Sequence, residues 1–151
     1  MDRAEPSTRR GPLLRLLLVT LAYVGVAWLG LRFATLHRQA SPVWPATGLA
    51  IAACCLWGRR VAPAIWLGAW IVNLQASGGW LTSAVIALGN TSEALVGAFL
   101  CHTLHGSRHD FAPRAPGTAL AVSALFSSPI SATIGGLTLV ASGQLPWARL
   151  P

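Results

Sequence analysis

In the stretch WLTSAVIALGNTSEALVGAFL a single acid, Glu93, stands in the middle of an otherwise apolar or small-polar run. On a helix, Ser83, Ile86, Asn90, Glu93 and Gly97 recur at three- and four-residue spacing and share one face. A carboxylate placed deep in hydrocarbon is expensive, so it must be paired, hydrogen-bonded, protonated or open to water. Two chemistries suit it. With Asn90 it forms a ligand or proton site; with Asn73 of the preceding apolar block it forms a polar clamp between helices. The NTS at Asn90 matches a glycosylation sequon, but a site buried mid-span is out of reach of the modifying enzyme.

Other chemistry-bearing residues are sparse. Cys101, His102, His105 and His109 cluster at the end of the same block, and His102 and His105 are spaced to share a helix face as metal ligands. The local sequence CHTLHGSRHD reads better as a helix end and loop, where histidine is favoured by the helix dipole. Cys54, Cys55 and Cys101 show no CxxC spacing and read as small packing residues. No nucleophile-and-base pair, phosphate loop, HExxH or paired-carboxylate motif occurs. The expectation is therefore no enzyme, no metal and no cofactor.

The elements that must position Glu93 are membrane spans. Only 10% of the 151 residues are charged and 54% are hydrophobic, against about 25% charged in soluble domains. The apolar residues come in long blocks. The net charge of +7 comes from eleven arginines and no lysine, set in short clusters between those blocks. That pattern orients a membrane protein, whereas a nucleic-acid groove binder needs a contiguous basic face. Nucleic-acid partners are not expected; the lipid bilayer is.

Residues 1–12 read as a cytoplasmic lead-in, and 13–151 as a membrane domain. Leu13–Leu31 is long enough to span and lacks a clean cleavage site after it, so it reads as a retained anchor. Blocks follow at about Val43–Trp57, Val61–Ala76, Trp80–Leu104 and Thr118–Ala141, the second and third joined by a GRR hairpin. The fold class is all-α and integral to the membrane, a bundle of about five transmembrane helices. With the N-terminus inside, Arg3, Arg9, Arg10, Arg15, Arg59, Arg60, Arg108 and Arg114 are cytoplasmic. Arg32, Arg38 and Arg149 lie opposite, in line with the positive-inside rule. Trp44, Trp57, Trp80 and Trp147 mark block ends, where indoles favour the interface.

In the last block Ser123, Ser127, Ser131 and Gly135 recur every fourth residue beside Ala124, Ser128, Ala132 and Gly136, a face for close helix packing with Pro129 as a kink. The second block starts irregularly, with SPVWPATG. Residues before proline avoid the helical region, so the helix starts at Pro45 and leaves SPVW as irregular backbone at the outer membrane edge. Such backbone is tolerated only when buried in protein or lining a wet cavity. Trp44, Pro45 and Gly48 are expected to shape that recess.

The segments SPVWPATGLAIAACCLWGRRVAPAIWLGAWIVNL, IALGNTSEALVGAFL and ISATIGGLTLVASGQLP together resemble the MASE family of membrane-associated sensor domains, first type. The likeness covers the chain from about Ser41 onward. It implies a bacterial inner-membrane input domain joined to a cytoplasmic output such as a diguanylate cyclase, phosphodiesterase or histidine kinase. It also implies that Trp44, Pro45, Gly48, Asn73, Asn90 and Glu93 occupy recurrent family positions. Family domains have about eight spans, so a chain stopping after five is expected to be incomplete and to lack its output module. A homodimer is a further expectation. The rival from another class is a small transporter or channel subunit that uses Glu93 for coupling. Here one irregular helix start has no convincing second copy.

Overall fold

The structure, a computed structural model, describes residues 10–37, 44–77, 79–105 and 116–146. Five α-helices account for nearly all of them: α1 (Arg10–His37), α2 (Pro45–Trp57), α3 (Ala62–Ser77), α4 (Trp80–His105) and α5 (Pro116–Ala141). A short 3-10 turn, Gly58–Val61, joins α2 to α3. No strand occurs among the described residues. The expected helical membrane bundle is what forms.

Contacts along α1 give the directions of the helices. Pro45 lies against Gly30, whereas Trp57 lies under the Arg15 guanidinium, 5.7 Å from ring centroid to charge; α2 therefore runs opposite to α1. Thr20 Oγ1 donates to the Ala64 carbonyl at 3.1 Å and Trp28 Nε1 to Gln75 Oε1 at 2.7 Å, so α3 runs parallel to α1. The reversal between them falls at Gly58, whose φ of 70° lies in the left-handed region that favours glycine.

Among the described residues four stretches are long and apolar enough to cross a membrane: Gly11–Arg32, Pro45–Ala76, Trp80–Leu104 and Gly117–Ala141. The second of these is the α2–α3 hairpin counted as one run. At 13 and 16 residues its arms measure about 20 and 24 Å. Each is shorter than a hydrocarbon core of about 30 Å. The expected five helices are thus three long ones and a hairpin of two short ones.

The chain is packed inside out relative to a soluble bundle. Leu13, Leu17, Leu21, Phe99, Leu125 and Phe126 are all more than half exposed, whereas the interior is dominated by Ala27, Ala46, Ala50, Ala69, Ala87 and Ala94. Large apolar side chains suit lipid, and small ones let helix backbones approach, which is what drives association where no hydrophobic effect separates helix from solvent. Indole donors add directional ties: Trp66 and Trp70, stacked at 5.7 Å, donate to the α4 carbonyls of Ala84 and Trp80 at 3.3 and 3.0 Å. The α4–α5 pair has the most extensive contact. Ser123 and Ser127 are fully buried in α5, as the packing-face reading expects.

Gly97 sits where α2, α4 and α5 converge. A Cβ there would stand 2.6 Å from Ile51 Cδ1 and 3.0 Å from Ser127 Oγ, and both side chains are fully buried. A Cβ at Gly48 would meet nothing within 4 Å. Gly97→Ala is accordingly expected to lower stability by about 1–3 kcal/mol through overpacking. Gly48→Ala should be neutral or stabilising by up to about 1 kcal/mol. Thermal unfolding of the purified protein in one detergent reads both. Equal effects at the two glycines would refute this packing.

Candidate functional site

Glu93 lies near the midpoint of the 26-residue α4 and is only 3% exposed. Its carboxylate is met by α5, which runs antiparallel and brings Ser128 and Ser131 alongside. Three positions apart, these serines share a helix face. Ser128 Oγ lies 2.9 Å from Glu93 Oε1, and Ser131 Oγ donates to Glu93 Oε2. Each oxygen of the carboxylate thus accepts a hydroxyl proton from the neighbouring helix.

Both hydroxyls also have a second acceptor. Ser128 Oγ is 2.7 Å from the Ala124 carbonyl of its own helix, and Ser131 Oγ is 3.2 Å from the Ser128 carbonyl. A serine hydroxyl carries one proton, so it serves the carboxylate or its own backbone, not both in full. Pro129, between the two serines, removes one backbone N–H from the ladder, although α5 continues through it.

On the opposite side stands Tyr23 of α1, the chain's one tyrosine, 2% exposed. Its hydroxyl is hydrogen-bonded by the side chains of Trp44 and Asn90 and lies within electrostatic reach of Glu93. An indole can only donate. Trp44 therefore gives its N–H to the phenol oxygen.

These groups surround a cavity of about 300 Å³, lined by Tyr23, Ala27, Trp44, Thr47, Val72, Asn73, Ile86, Asn90, Glu93, Ser128, Ser131 and Ala132. Four of the six residues singled out from sequence, Glu93, Asn90, Asn73 and Trp44, thus share one cavity. Asn73 also donates to the Ala69 carbonyl of its own helix at 2.8 Å. Pro45 and Gly48 are not among the lining residues. Pro45 packs on Gly30, and Gly48 has open space around it. Trp44 is extended (φ −89°, ψ 107°) with Pro45 in the first turn of α2, the start expected from SPVWP; Ser41, Pro42 and Val43 lie outside the described residues.

Sequence reading missed Tyr23, Thr47 and the role of Ser128 and Ser131. For Tyr23 a signal was present, since it is the one phenol of the chain and sits mid-way along an apolar block. The four-residue spacing places the two serines on a packing face. The structure divides that face: Ser123 and Ser127 pack, while Ser128 and Ser131 turn to the carboxylate. At the other end of α4, Cys101 is buried and His102 half-buried; His109 and the His105 side chain lie outside the described residues. Among the described residues no three histidine, cysteine or acidic side chains gather as a metal site.

The MASE1 family model matches residues 14–150. The chain belongs to the MASE1 family. It is a family of membrane-associated sensor domains, so the chain is a multi-pass sensor domain. The match includes α1 as well as the segments from Ser41 onward that carry the likeness in sequence. Tyr23 is thus part of the MASE1 domain proper. No curated protein and no solved structure matches the chain.

The clamp in this MASE1 domain has a direct test. Ser131→Ala leaves a buried carboxylate oxygen without its donor and is expected to destabilise by about 1–3 kcal/mol. In a Glu93→Gln background the same change should cost less, with a coupling of at least about 0.5 kcal/mol across the double-mutant cycle. Denaturation of the four proteins in one detergent measures it. Additive costs would mean that the serine does not serve the carboxylate.

Proposed function

We propose that this MASE1 domain is the sensory input module of a bacterial inner-membrane signalling protein and that it senses through the Glu93 cavity. In this reading its N-terminus is cytoplasmic, and its output is a cytoplasmic diguanylate cyclase, phosphodiesterase or histidine kinase. The observation that carries the proposal is the carboxylate of Glu93, buried at mid-helix, facing a cavity, and held by two serines that each have another acceptor.

An occupant of the cavity that engages Glu93 competes with the serines for its lone pairs. Released hydroxyls return to the Ala124 and Ser128 carbonyls, and α5 loses its polar ties to α4. Two arrangements of one helix pair are then populated according to occupancy, which is what a ligand with differential affinity for two states does. A stimulus inside the bundle would reach the membrane surface through α5.

The side assignment is supported by charge. Arg15, Arg59 and Arg60 lie at the end of the bundle where α2 turns into α3, and Arg32 belongs to the other end. Alkaline phosphatase fused after residue 60 or within 106–115 is expected to be inactive, and active when fused after residue 78. The reverse pattern would invert the topology.

The function itself is tested in the full-length protein that carries the output. Glu93→Gln is expected to change stimulus-dependent output by an amount typical of coupled sites, on the order of tenfold. The readout is cyclic-di-GMP level or kinase autophosphorylation in membranes at matched expression. Unchanged output would remove Glu93 from signalling. Substrate-dependent uptake into proteoliposomes, lost in Glu93→Gln, would replace sensing by transport.

A further inference from the structure

We infer that the Glu93 cavity takes a small organic ammonium ion. This rests on the reading of the cavity as the sensing site and names the class of its occupant.

The charge of the lining favours a cation. Of the described residues that line it, only Glu93 carries a formal charge, and none is an arginine, lysine or histidine. Among the described residues its hydrogen-bond partners are two neutral hydroxyls, which satisfy part of its hydrogen-bonding capacity and none of its charge. An anion brought into this space would meet an uncompensated carboxylate in a low-dielectric bundle. A cation would meet its counter-charge. The start of α2 is nearby and favours anions, but a helix N-terminus amounts to about half a positive charge, screened beyond its first turn. The full negative charge prevails.

Size comes next. A cavity of about 300 Å³ holds on the order of ten water volumes at about 30 Å³ each. That is far more than a bare metal ion fills, and it sits at the lower end of small-molecule pockets. A single carboxylate also neutralises only half the charge of a divalent cation.

The wall points the same way. Tyr23 and Trp44 place two aromatic rings in the lining, tied to each other by the indole–phenol hydrogen bond. Aromatic surface beside a carboxylate suits an ammonium group, which the rings attract electrostatically. Asn90 brings an amide oxygen as a further acceptor for N–H donors. Val72, Ile86 and Ala132 give the carbon part of such a molecule an apolar surface.

The experiment is equilibrium binding to the full chain in lipid nanodiscs, followed by tryptophan fluorescence and calorimetry. Benzylammonium and tetramethylammonium are compared with benzyl alcohol and benzoate. The ammonium ions are expected to bind about tenfold or more tighter than the alcohol, the margin a charged hydrogen-bond partner adds over a neutral one, with benzoate weakest. Glu93→Gln is expected to erase that discrimination. Should this variant fail to fold, the preference measured on the unaltered chain decides alone. Binding of the alcohol or benzoate as tightly as the ammonium ions, no ammonium binding at millimolar concentration, or discrimination that survives Glu93→Gln would each overturn the inference. Neutral-ligand preference together with altered output in Glu93→Gln would sink the cation and leave the sensor. Ammonium binding without any effect on output would keep the site and sink the sensing role.

Discussion

A carboxylate in the middle of a hydrocarbon-embedded bundle has nowhere to find water unless the protein supplies it. Everything around Glu93 can be read as the consequence. The donors must come from the protein, since several kcal/mol are lost otherwise. They must come from another helix, because its own backbone N–H groups are committed to the α4 ladder. Ser128 and Ser131 meet that need at the cost of bringing α5 close along much of α4. Close approach in turn demands small residues. Gly89, where a Cβ would stand 3.1 Å from Ile134, and Gly97 supply them on α4.

The same logic extends to the rest of the bundle. Gly68 on α3 lets Tyr23 of α1 lie flat against it, with a would-be Cβ at 3.1 Å from the Tyr23 ring and Cβ. That contact seats the only phenol of the chain at the depth of Asn90 and Glu93. Trp44 then reaches it from the irregular start of α2, a position available only because Pro45 forces the preceding residue to be extended. Filling the cavity between these groups with methyl groups would close off the remaining hydrogen-bonding capacity of the Glu93 carboxylate.

Much of this was legible in the sequence. The apolar blocks, the GRR hairpin and the extended residue before Pro45 all follow from chemistry that acts over a few residues, and the bundle formed as expected. Glu93 and Asn90 announced themselves by being polar where polarity is costly. What sequence could not give was the register between helices. Whether Ser127 or Ser128 faces Glu93 depends on rotating α5 by one residue, about 100°, and both choices lie on a small-residue surface. Gly48, expected to shape the recess at the start of α2, does not line the cavity, and a Cβ there would meet nothing within 4 Å. Tyr23 was missed because an aromatic residue in an apolar span is ordinarily packing, and its hydroxyl acquires meaning only from residues on two other helices.

The arrangement of acceptors around the serines bears on why a sensor domain would be built this way. A clamp of a charged pair would be deep and hard to release, since breaking it leaves two buried charges unpaired. Here the clamp is a carboxylate facing hydroxyls that already lie 2.7 and 3.2 Å from carbonyls of their own helix. When the carboxylate is engaged elsewhere, the hydroxyls are not orphaned, so the alternative state costs the difference between a charge-assisted bond to a carboxylate and a neutral bond to a carbonyl. Differences of that size are what a ligand of modest affinity can overcome. Pro129 sits between the serines and leaves α5 one backbone bond short at the same level, so the segment that must respond is also the least stiff part of its helix. In the proposed mechanism, the polarity that makes Glu93 costly to bury also keeps the two states of the helix pair close in energy.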